Sequence, residues 1–207
     1  MTLQLSEKPC RYLLIDIDTQ RDFLLAGGDA CIRNHRRISA SIRRVMAWAR
    51  RENIQIISIN GVYCNNNSSI KTNDCLDGTD GQKKIRYTLL SNRTTFPADD
   101  NDFVPVDLFQ THRQVILHKR CIDPFDEPKI ERLLSEIQAD EFILIGVGAE
   151  DAVKATALGL LQRGKSVRVV IDALGSHNVR EAKLALRKMK TKGAKLIVTK
   201  NLARISH

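Results

Sequence analysis

The chain has 207 residues, of which 43% are hydrophobic, a composition typical of a soluble globular domain. A chain of this length buries about 70% of its unfolded surface, which is enough for one sizeable core. No apolar run approaches the ~18–20 residues of a membrane span, and residues 1–10 lack a signal-peptide core. We therefore expect one domain over residues 1–207, with its core at about 10–200, a cytoplasmic location and no membrane contact.

The formal net charge is +9, and much of it lies in two helix-like stretches, residues 33–51 and 183–204. Such stretches form either solvated helix faces or a surface for nucleic acid or an acidic partner. No RNP, KH, zinc-finger or helix-turn-helix signature accompanies the charge, so we do not expect nucleic acid as a primary partner. The five cysteines are scattered without a C-x-x-C pair, which favours reduced thiols over disulfides or a zinc ribbon.

The first third of the chain predicts a strand, a helix and a second strand. An apolar run over residues 11–18 ends on Asp16 and Asp18, which a regular strand would point to the same side. A helix follows over residues 34–51 with Asn34 as its cap, and then a strand over residues 54–59. Residues 61–111 form a long polar stretch with one short helix near residues 106–109, which we expect to be an insertion on the active-site side.

The remainder of the chain alternates strands and helices. The pattern predicts a strand over residues 114–118 that ends on Lys119, and a helix that Asp126 caps. A strand over residues 142–145 leads through two glycines into a helix that runs to about residue 163. The last predicted elements are a strand at 167–171, a helix between the cap Asn178 and the terminator Gly193, and a strand at 195–199.

Apolar strands that alternate with amphipathic helices predict a parallel sheet covered on both faces, a Rossmann-like three-layer α/β/α fold with six strands. Sites in such folds lie beyond the carboxyl ends of the strands. Asp18, Lys119 and the turn at residues 146–152 all follow strand ends directly. Two of these have a structural interpretation as well: Asp18 as the cap of a neighbouring helix, and Lys119 as an ordinary surface lysine. A lysine beside Asp18 would instead hold that carboxylate ionised, and the turn would suit an anion.

Three separated motifs resemble the isochorismatase-like cysteine hydrolases. They are Ile17-Asp18-Thr19-Gln20-Arg21-Asp22-Phe23, Lys119 with Phe125 after it, and Gly146-Val147-Gly148-Ala149-Glu150-Asp151-Ala152-Val153. Most members of the family carry a nucleophilic cysteine at the position of Ala152 and a threonine at that of Ala149. The resemblance spans about residues 10–200 and implies the family's strand order 3-2-1-4-5-6, with Lys119 two strands away from Asp18.

The resemblance also implies roles for individual residues. Asp18 would be the general acid/base, and Lys119 would act beside it. The backbone N–H groups of Gly148 and Ala152 would receive an oxyanion, aided by a cis peptide bond between Val147 and Gly148. The nicotinamidase-like branch binds a metal through histidines after its second strand, but residues 60–65 here contain none, so we expect no metal and no other cofactor.

Ala152 excludes an acyl-thioester mechanism and leaves several interpretations open. The chain is either a hydrolase that uses Asp18 on a small molecule without a thiol, as the isochorismatase branch does, or a catalytically inactive binding or assembly protein. Cys121 is a weaker candidate as a substitute nucleophile. A further interpretation is that Ala152 was introduced to trap a substrate. Ala149 argues against this, because a single introduced change at position 152 would leave the family's threonine in place at position 149. In each case we expect a small-molecule ligand and a homo-oligomer, a dimer or a tetramer.

Overall fold

The computed structural model describes residues 12–64, 73–98, 104–105 and 108–205. The predicted start of the first strand at Arg11 and the predicted helical residues 106–107 lie outside these ranges. The described part of the chain contains one parallel sheet of seven strands. They are β1 (Tyr12–Ile17), β2 (Gln55–Gly61), β3 (Arg93–Phe96), β4 (Gln114–Lys119), β5 (Glu141–Val147), β6 (Val167–Gly175) and β7 (Lys195–Ile197).

Six α-helices lie within the described ranges and pack on both sides of the sheet. They are α1 (Arg21–Leu24), α2 (His35–Arg51), α3 (Leu108–Thr111), α4 (Pro128–Glu136), α5 (Ala152–Gln162) and α6 (Val179–Thr191). No helix in the described part of the chain is long and apolar enough to cross a bilayer. The predicted three-layer α/β/α fold is confirmed.

The strand order is β3-β4-β2-β1-β5-β6-β7, and without β3 it is the expected order of six. The prediction of six strands was wrong because β3 lies at the sheet edge, where its four residues alternate between exposed and half-buried. A short edge strand with threonines and an arginine has no apolar run to reveal it. β3 lies within residues 61–111, for which the sequence predicts a long polar stretch without a strand.

The two faces of the sheet carry separate apolar cores, because side chains alternate along each strand. On the first face, Leu13 and Ile15 of β1 pack in a cluster with residues from α3, α4, α5 and α6. On the second face, Leu14 packs with residues from α1 and α2. The amphipathic helix α2 supplies Ile42 and Val45, which are fully buried. These alternating directions decide which polar side chains meet at the carboxyl edge.

Some predicted helix ends are correct and two are wrong. Asn178 caps α6 by accepting from the N–H groups of Arg180 and Glu181, and Gly193 follows the helix with φ +108°. Asn34 makes no side-chain capping bond, because its φ of −100° and ψ of 23° differ from the extended backbone that a cap needs. Asp126 does not cap α4 either, since it belongs to a 3-10 turn (Pro124–Asp126) that ends before the helix.

The close approach of β5 to β1 requires a glycine at position 146, and this requirement is testable. Gly146 has φ +135°, and a Cβ there would overlap the backbone carbonyl oxygen of Ile17. We expect Gly146→Ala to lower the free energy of unfolding by more than about 2 kcal/mol in urea titrations. The control is Gly27→Ala, since a Cβ at Gly27 meets no atom within 4 Å. Equal effects of the two substitutions would contradict the proposed overlap.

Candidate active site at the carboxyl edge of the sheet

The strand register brings the predicted site residues to one edge of the sheet. Gly61 at the end of β2 pairs with Lys119 at the end of β4, and Ile17 at the end of β1 pairs with Gly146 in β5. The chain after each of these strands therefore emerges at the same rim. β2 lies between β1 and β4, so Lys119 reaches across one strand towards Asp18.

Asp18 leaves the strand direction and turns onto the first face of the sheet. Its φ is +48°, and its N–H donates to the Ile59 carbonyl oxygen at 2.8 Å. One carboxylate oxygen accepts from the Gly61 N–H at 2.8 Å, and the other lies 3.1 Å from Lys119 Nζ. The Asp18 carboxylate is thus oriented on both oxygens and is only 7% exposed as a residue.

The prediction that Asp16 and Asp18 share one side was wrong. Asp16 keeps the strand direction and points to the second face, where Ser58 Oγ donates to it and Lys84 Nζ lies 2.6 Å away. The positive φ at Asp18 breaks the alternation that the prediction assumed. β1 therefore ends in two carboxylate–lysine pairs on opposite faces of the sheet.

Lys119, the cation that pairs with Asp18, is almost completely buried, with 1% of its surface exposed. Besides Asp18, its ammonium donates to the Tyr63 hydroxyl at 3.2 Å. Burial by itself would lower the pKa of Lys119, but the Asp18 carboxylate and Tyr63 outweigh burial, so the pKa lies above its ordinary value. Burial, followed by repulsion from Asp18, raises the pKa of Tyr63 to about 12. Near neutral pH, Lys119 is therefore an ammonium and Tyr63 a neutral phenol.

The turn between β5 and α5 presents free backbone N–H groups at the same rim. Gly148, with φ +80°, accepts through its carbonyl oxygen from the N–H groups of Asp151 and Val153. The Ala149 N–H donates to the Gly175 carbonyl oxygen. Within the described part of the chain, no hydrogen bond uses the N–H of Gly148 or Ala152. Two donors that suit a negatively charged oxygen thus stand at the start of α5.

The predicted cis peptide bond is wrong. The Val147–Gly148 bond is trans, as is every peptide bond in the ranges that the structure describes. The positive φ of Gly148 produces the change of direction between strand and helix, so the turn does not need the cis geometry.

Asp18, Lys119, Gly148 and Ala152 line one cavity of about 160 Å³. The Ala152 side chain therefore occupies the cavity wall, where the family resemblance places a thiol. The cavity is smaller than the ~300–1,000 Å³ of sites for drug-sized ligands, so it suits a small molecule. Val147 lines the same cavity, whereas Cys121, the weaker candidate from the sequence, does not.

Sequence reasoning missed His177, which lines the same cavity. Its ring packs edge-on against Phe23 with 5.6 Å between ring centroids, and its backbone N–H donates to Glu150 Oε1 at 2.8 Å. The signal that identified Asp18 and Lys119, a polar residue just after a strand, also applies to His177. It was missed because the predicted strand ended at residue 171, whereas β6 continues to Gly175.

Asp22 has a structural role in the site that the sequence left undefined. This buried carboxylate accepts from the Cys75 N–H at 2.6 Å and from the Asp29 N–H at 3.3 Å. Asp74, next to Cys75, lines the cavity. Asp22 therefore fastens one wall of the cavity to α1.

No thiol in the described part of the chain lines the cavity in which the resemblance expects a cysteine at position 152. Cys31, Cys64, Cys75 and Cys121 are all free, but none of them lines the cavity. Burial and then the Glu127 carboxylate raise the pKa of Cys121 to about 12, and its Sγ donates to the Asp123 carbonyl oxygen at 3.0 Å. Burial and the nearby Asp18 carboxylate also raise the pKa of Cys75. Protonated thiols are poor nucleophiles, so Cys121 is disfavoured as a substitute.

The residues at the end of β2 and directly after it do not fit a metal ion. Asn60 Oδ1 lies 3.5 Å from Lys84 Nζ, and the Tyr63 hydroxyl accepts from Lys119. Each of these oxygens thus faces an ammonium group, which repels a cation. Across the described ranges, no group of three or more His, Cys, Asp or Glu side chains is arranged to hold a metal.

Solved structures with the same fold come from several organisms, whereas no curated protein matches the chain significantly in sequence. An isochorismatase family protein from Desulfovibrio vulgaris has a TM-score of 0.75 and 18% identity, over 95% of this chain and 98% of its own. Pyrazinamidase of Pyrococcus horikoshii, solved in complex with zinc, has a TM-score of 0.70 and 20% identity, over 91% and 99%. A nicotinamidase from Bacillus subtilis has a TM-score of 0.71 and 19% identity, over 90% and 99%.

At these identities the structural neighbours establish the fold alone. The family is established by sequence, since the model of the isochorismatase domain matches residues 12–201. That range contains the strand ends, the glycine turn and the cavity described above. The chain therefore belongs to the isochorismatase family.

Proposed function

We propose that the protein is a small-molecule hydrolase that works without a thiol nucleophile, with Asp18 as the acid/base and Lys119 beside it. The observation that carries the proposal is the buried pair between Asp18 and Lys119, 3.1 Å apart, at the wall of the cavity that also contains Ala152. An isolated buried charge pair is costly, and such pairs with perturbed titration in a cleft are typical of functional sites. The family provides hydrolysis as the reaction class.

The proposed chemistry uses water in place of the missing sulfur. The Asp18 carboxylate, held beside the Lys119 ammonium, takes a proton from water. The water oxygen bonds to the electrophilic carbon of the substrate, and the displaced electron pair gives an oxyanion. The unused N–H groups of Gly148 and Ala152 are positioned to stabilise it. The electron pair of the oxyanion then re-forms the carbon–oxygen double bond as the bond from carbon to the leaving group breaks, and Asp18 gives its proton to the leaving group.

The substrate class follows from the small cavity and from the family. Two of the structural neighbours are a pyrazinamidase and a nicotinamidase, enzymes named for small amides. The resemblance of residues 146–149 to the isochorismatase branch adds vinyl ethers. For these substrates Asp18 enters the reaction protonated, gives its proton to a carbon of the double bond and then takes one from the water that bonds to the ether carbon. A panel of both chemistries, with nicotinamide, pyrazinamide and isochorismate, covers these substrates.

A second candidate is a catalytically inactive binding or assembly protein, in which the cavity holds a ligand without turnover. The observation that favours it is the absence of a reactive side chain at position 152, where a methyl group lies in the cavity wall. Both oxygens of Asp18 are also engaged, by Gly61 and Lys119. In this case we expect a homo-oligomer that binds a small molecule, measurable by solution mass and by thermal shift.

We expect Asp18→Asn to reduce the turnover of any substrate in this panel by at least about 100-fold, because asparagine cannot take up the proton. The measurement is product formation by chromatography with the wild type and the variant at equal concentration. Asp140→Asn, a change of the same kind at an exposed position, is the control and should leave turnover unchanged. Absence of turnover in the wild type would favour the inactive binding protein, and full activity of Asp18→Asn would exclude Asp18 as the acid/base.

We expect Lys119→Met to lower the free energy of unfolding by about 3–5 kcal/mol, because it leaves the Asp18 carboxylate buried without its cation. The raised pKa of Lys119 makes its contribution complete below the ordinary lysine pKa of about 10.4, and the contribution is lost only as pH rises further. Urea titration at pH 7 therefore measures it in full.

The control for this experiment is the double variant Asp18→Asn/Lys119→Met, which removes both charges. It should be more stable than Lys119→Met alone by at least about 1 kcal/mol, since no unpaired charge stays buried. If the single and double variants unfold at the same urea concentration, the two side chains are not energetically coupled.

A further inference from the structure

A second and larger cavity, of about 700 Å³, lies on the second face of the sheet. Ile116 and His118 of β4 line it, and they point away from Lys119 because side chains alternate along the strand. Its opposite wall is the segment at residues 82–98, which includes Lys84 and Arg86. None of its lining residues contributes to the cavity that contains Asp18, so the two cavities are separate sites.

The lining of the large cavity is strongly basic. Burial lowers the pKa of His118, so its imidazole adds no charge near neutral pH. The charged side chains in the wall are five cations and one carboxylate. The cations are those of Arg21, Lys83, Lys84, Arg86 and Arg120, and the carboxylate is that of Asp77.

Several of these cations are available to a ligand. Arg86 makes no ion pair within the described part of the chain. Arg21 and Lys83 share one carboxylate, that of Asp80, at 2.5 and 3.1 Å, and its side chain is 65% exposed. Exposed ion pairs contribute little to stability, so an incoming anion can replace Asp80 at little cost. Lys84 is buried and remains with Asp16, at the base of the cavity.

The cavity also has an apolar part, which a simple inorganic anion would not use. Val62, Leu89, Pro97 and Ile116 contribute hydrophobic surface beside the cations. The volume lies within the ~300–1,000 Å³ of organic-ligand sites. Guanidinium groups bind phosphate through paired hydrogen bonds, and apolar walls bind the organic remainder. We propose that this cavity binds a small organic phosphate, with the phosphate at the cations and the organic part on the apolar wall.

Nucleic acid fits the same lining less well. Proteins that bind single strands offer aromatic faces for the bases and an extended groove for the backbone. No Phe, Tyr or Trp side chain among the described residues lines this cavity. Its limited volume and mixed lining favour a single small molecule.

The experiment is isothermal titration calorimetry with the full chain and three phosphate esters: phenyl phosphate, glucose 6-phosphate and adenosine monophosphate. Phenol, glucose and adenosine are the matched parents without phosphate. We expect at least one ester to bind one-to-one, at least tenfold more tightly than its parent, and to weaken between 50 and 300 mM NaCl. If none of the three esters binds, or if the parents bind as well, the proposal is wrong.

The variant test removes two exposed charges from the cavity without touching its buried base. Lys83→Gln/Arg86→Gln should weaken binding of the ester at least tenfold. Arg187→Gln/Lys188→Gln, on exposed positions of α6, removes the same net charge far from the cavity in sequence and should leave binding unchanged. Equal loss in both variants would indicate attraction by net charge alone and would overturn the proposal.

Binding at this cavity is measured directly and does not depend on turnover. Asp18→Asn should therefore retain the affinity for the phosphate ester, whatever its effect on hydrolysis. A single-stranded RNA 12-mer is titrated in parallel. Displacement of the ester by the RNA at lower concentration would assign the cavity to a nucleic-acid surface and overturn the small-molecule proposal.

Discussion

The candidate active site depends on one buried interaction, the ion pair between Asp18 and Lys119. Removing both charges from water is unfavourable, so the pair persists only where geometry and further hydrogen bonds compensate. The parallel register of β2 and β4 supplies the geometry, because it places Lys119 beside Gly61, whose N–H binds the second oxygen of Asp18. Tyr63 completes the arrangement as the acceptor for the ammonium.

Ala152 lies at the start of α5 and in the wall of the cavity that contains this ion pair. A helix begins at Ala152, its N–H is unused within the described part of the chain, and its methyl group reaches the cavity. In the proposed mechanism these groups activate water and stabilise an oxyanion, and no side chain at position 152 bonds to the substrate. The small cavity limits the size of the substrate that this mechanism can use.

The sequence predicts the fold because apolar strands alternate with amphipathic helices, and it predicts the edge where Asp18 and Lys119 lie because both follow strand ends. Apolar runs that end on Asp18 and Lys119 mark strand ends, and parallel strands end at one rim. The errors arise where local backbone overrides that rule: positive φ at Asp18 separates it from Asp16, and the edge strand β3 has no apolar run. The basic cavity was not predictable, since Lys83, Lys84 and Arg86 lie in a segment without periodicity, and only the folded chain brings them together with Arg21 and Arg120.

Backbone hydrogen bonds of the chain that follows β1 connect the walls of the two cavities. The N–H of Arg21 donates to the Lys83 carbonyl oxygen, and that of Ile85 donates to the Thr19 carbonyl oxygen, both at 2.9 Å. One wall of the basic cavity is thus hydrogen-bonded to the residue after Asp18. Thermodynamic linkage makes any influence along this connection reciprocal: if an occupant of one cavity changes the affinity of the other cavity for its ligand by some factor, that ligand changes the affinity of the first cavity by the same factor.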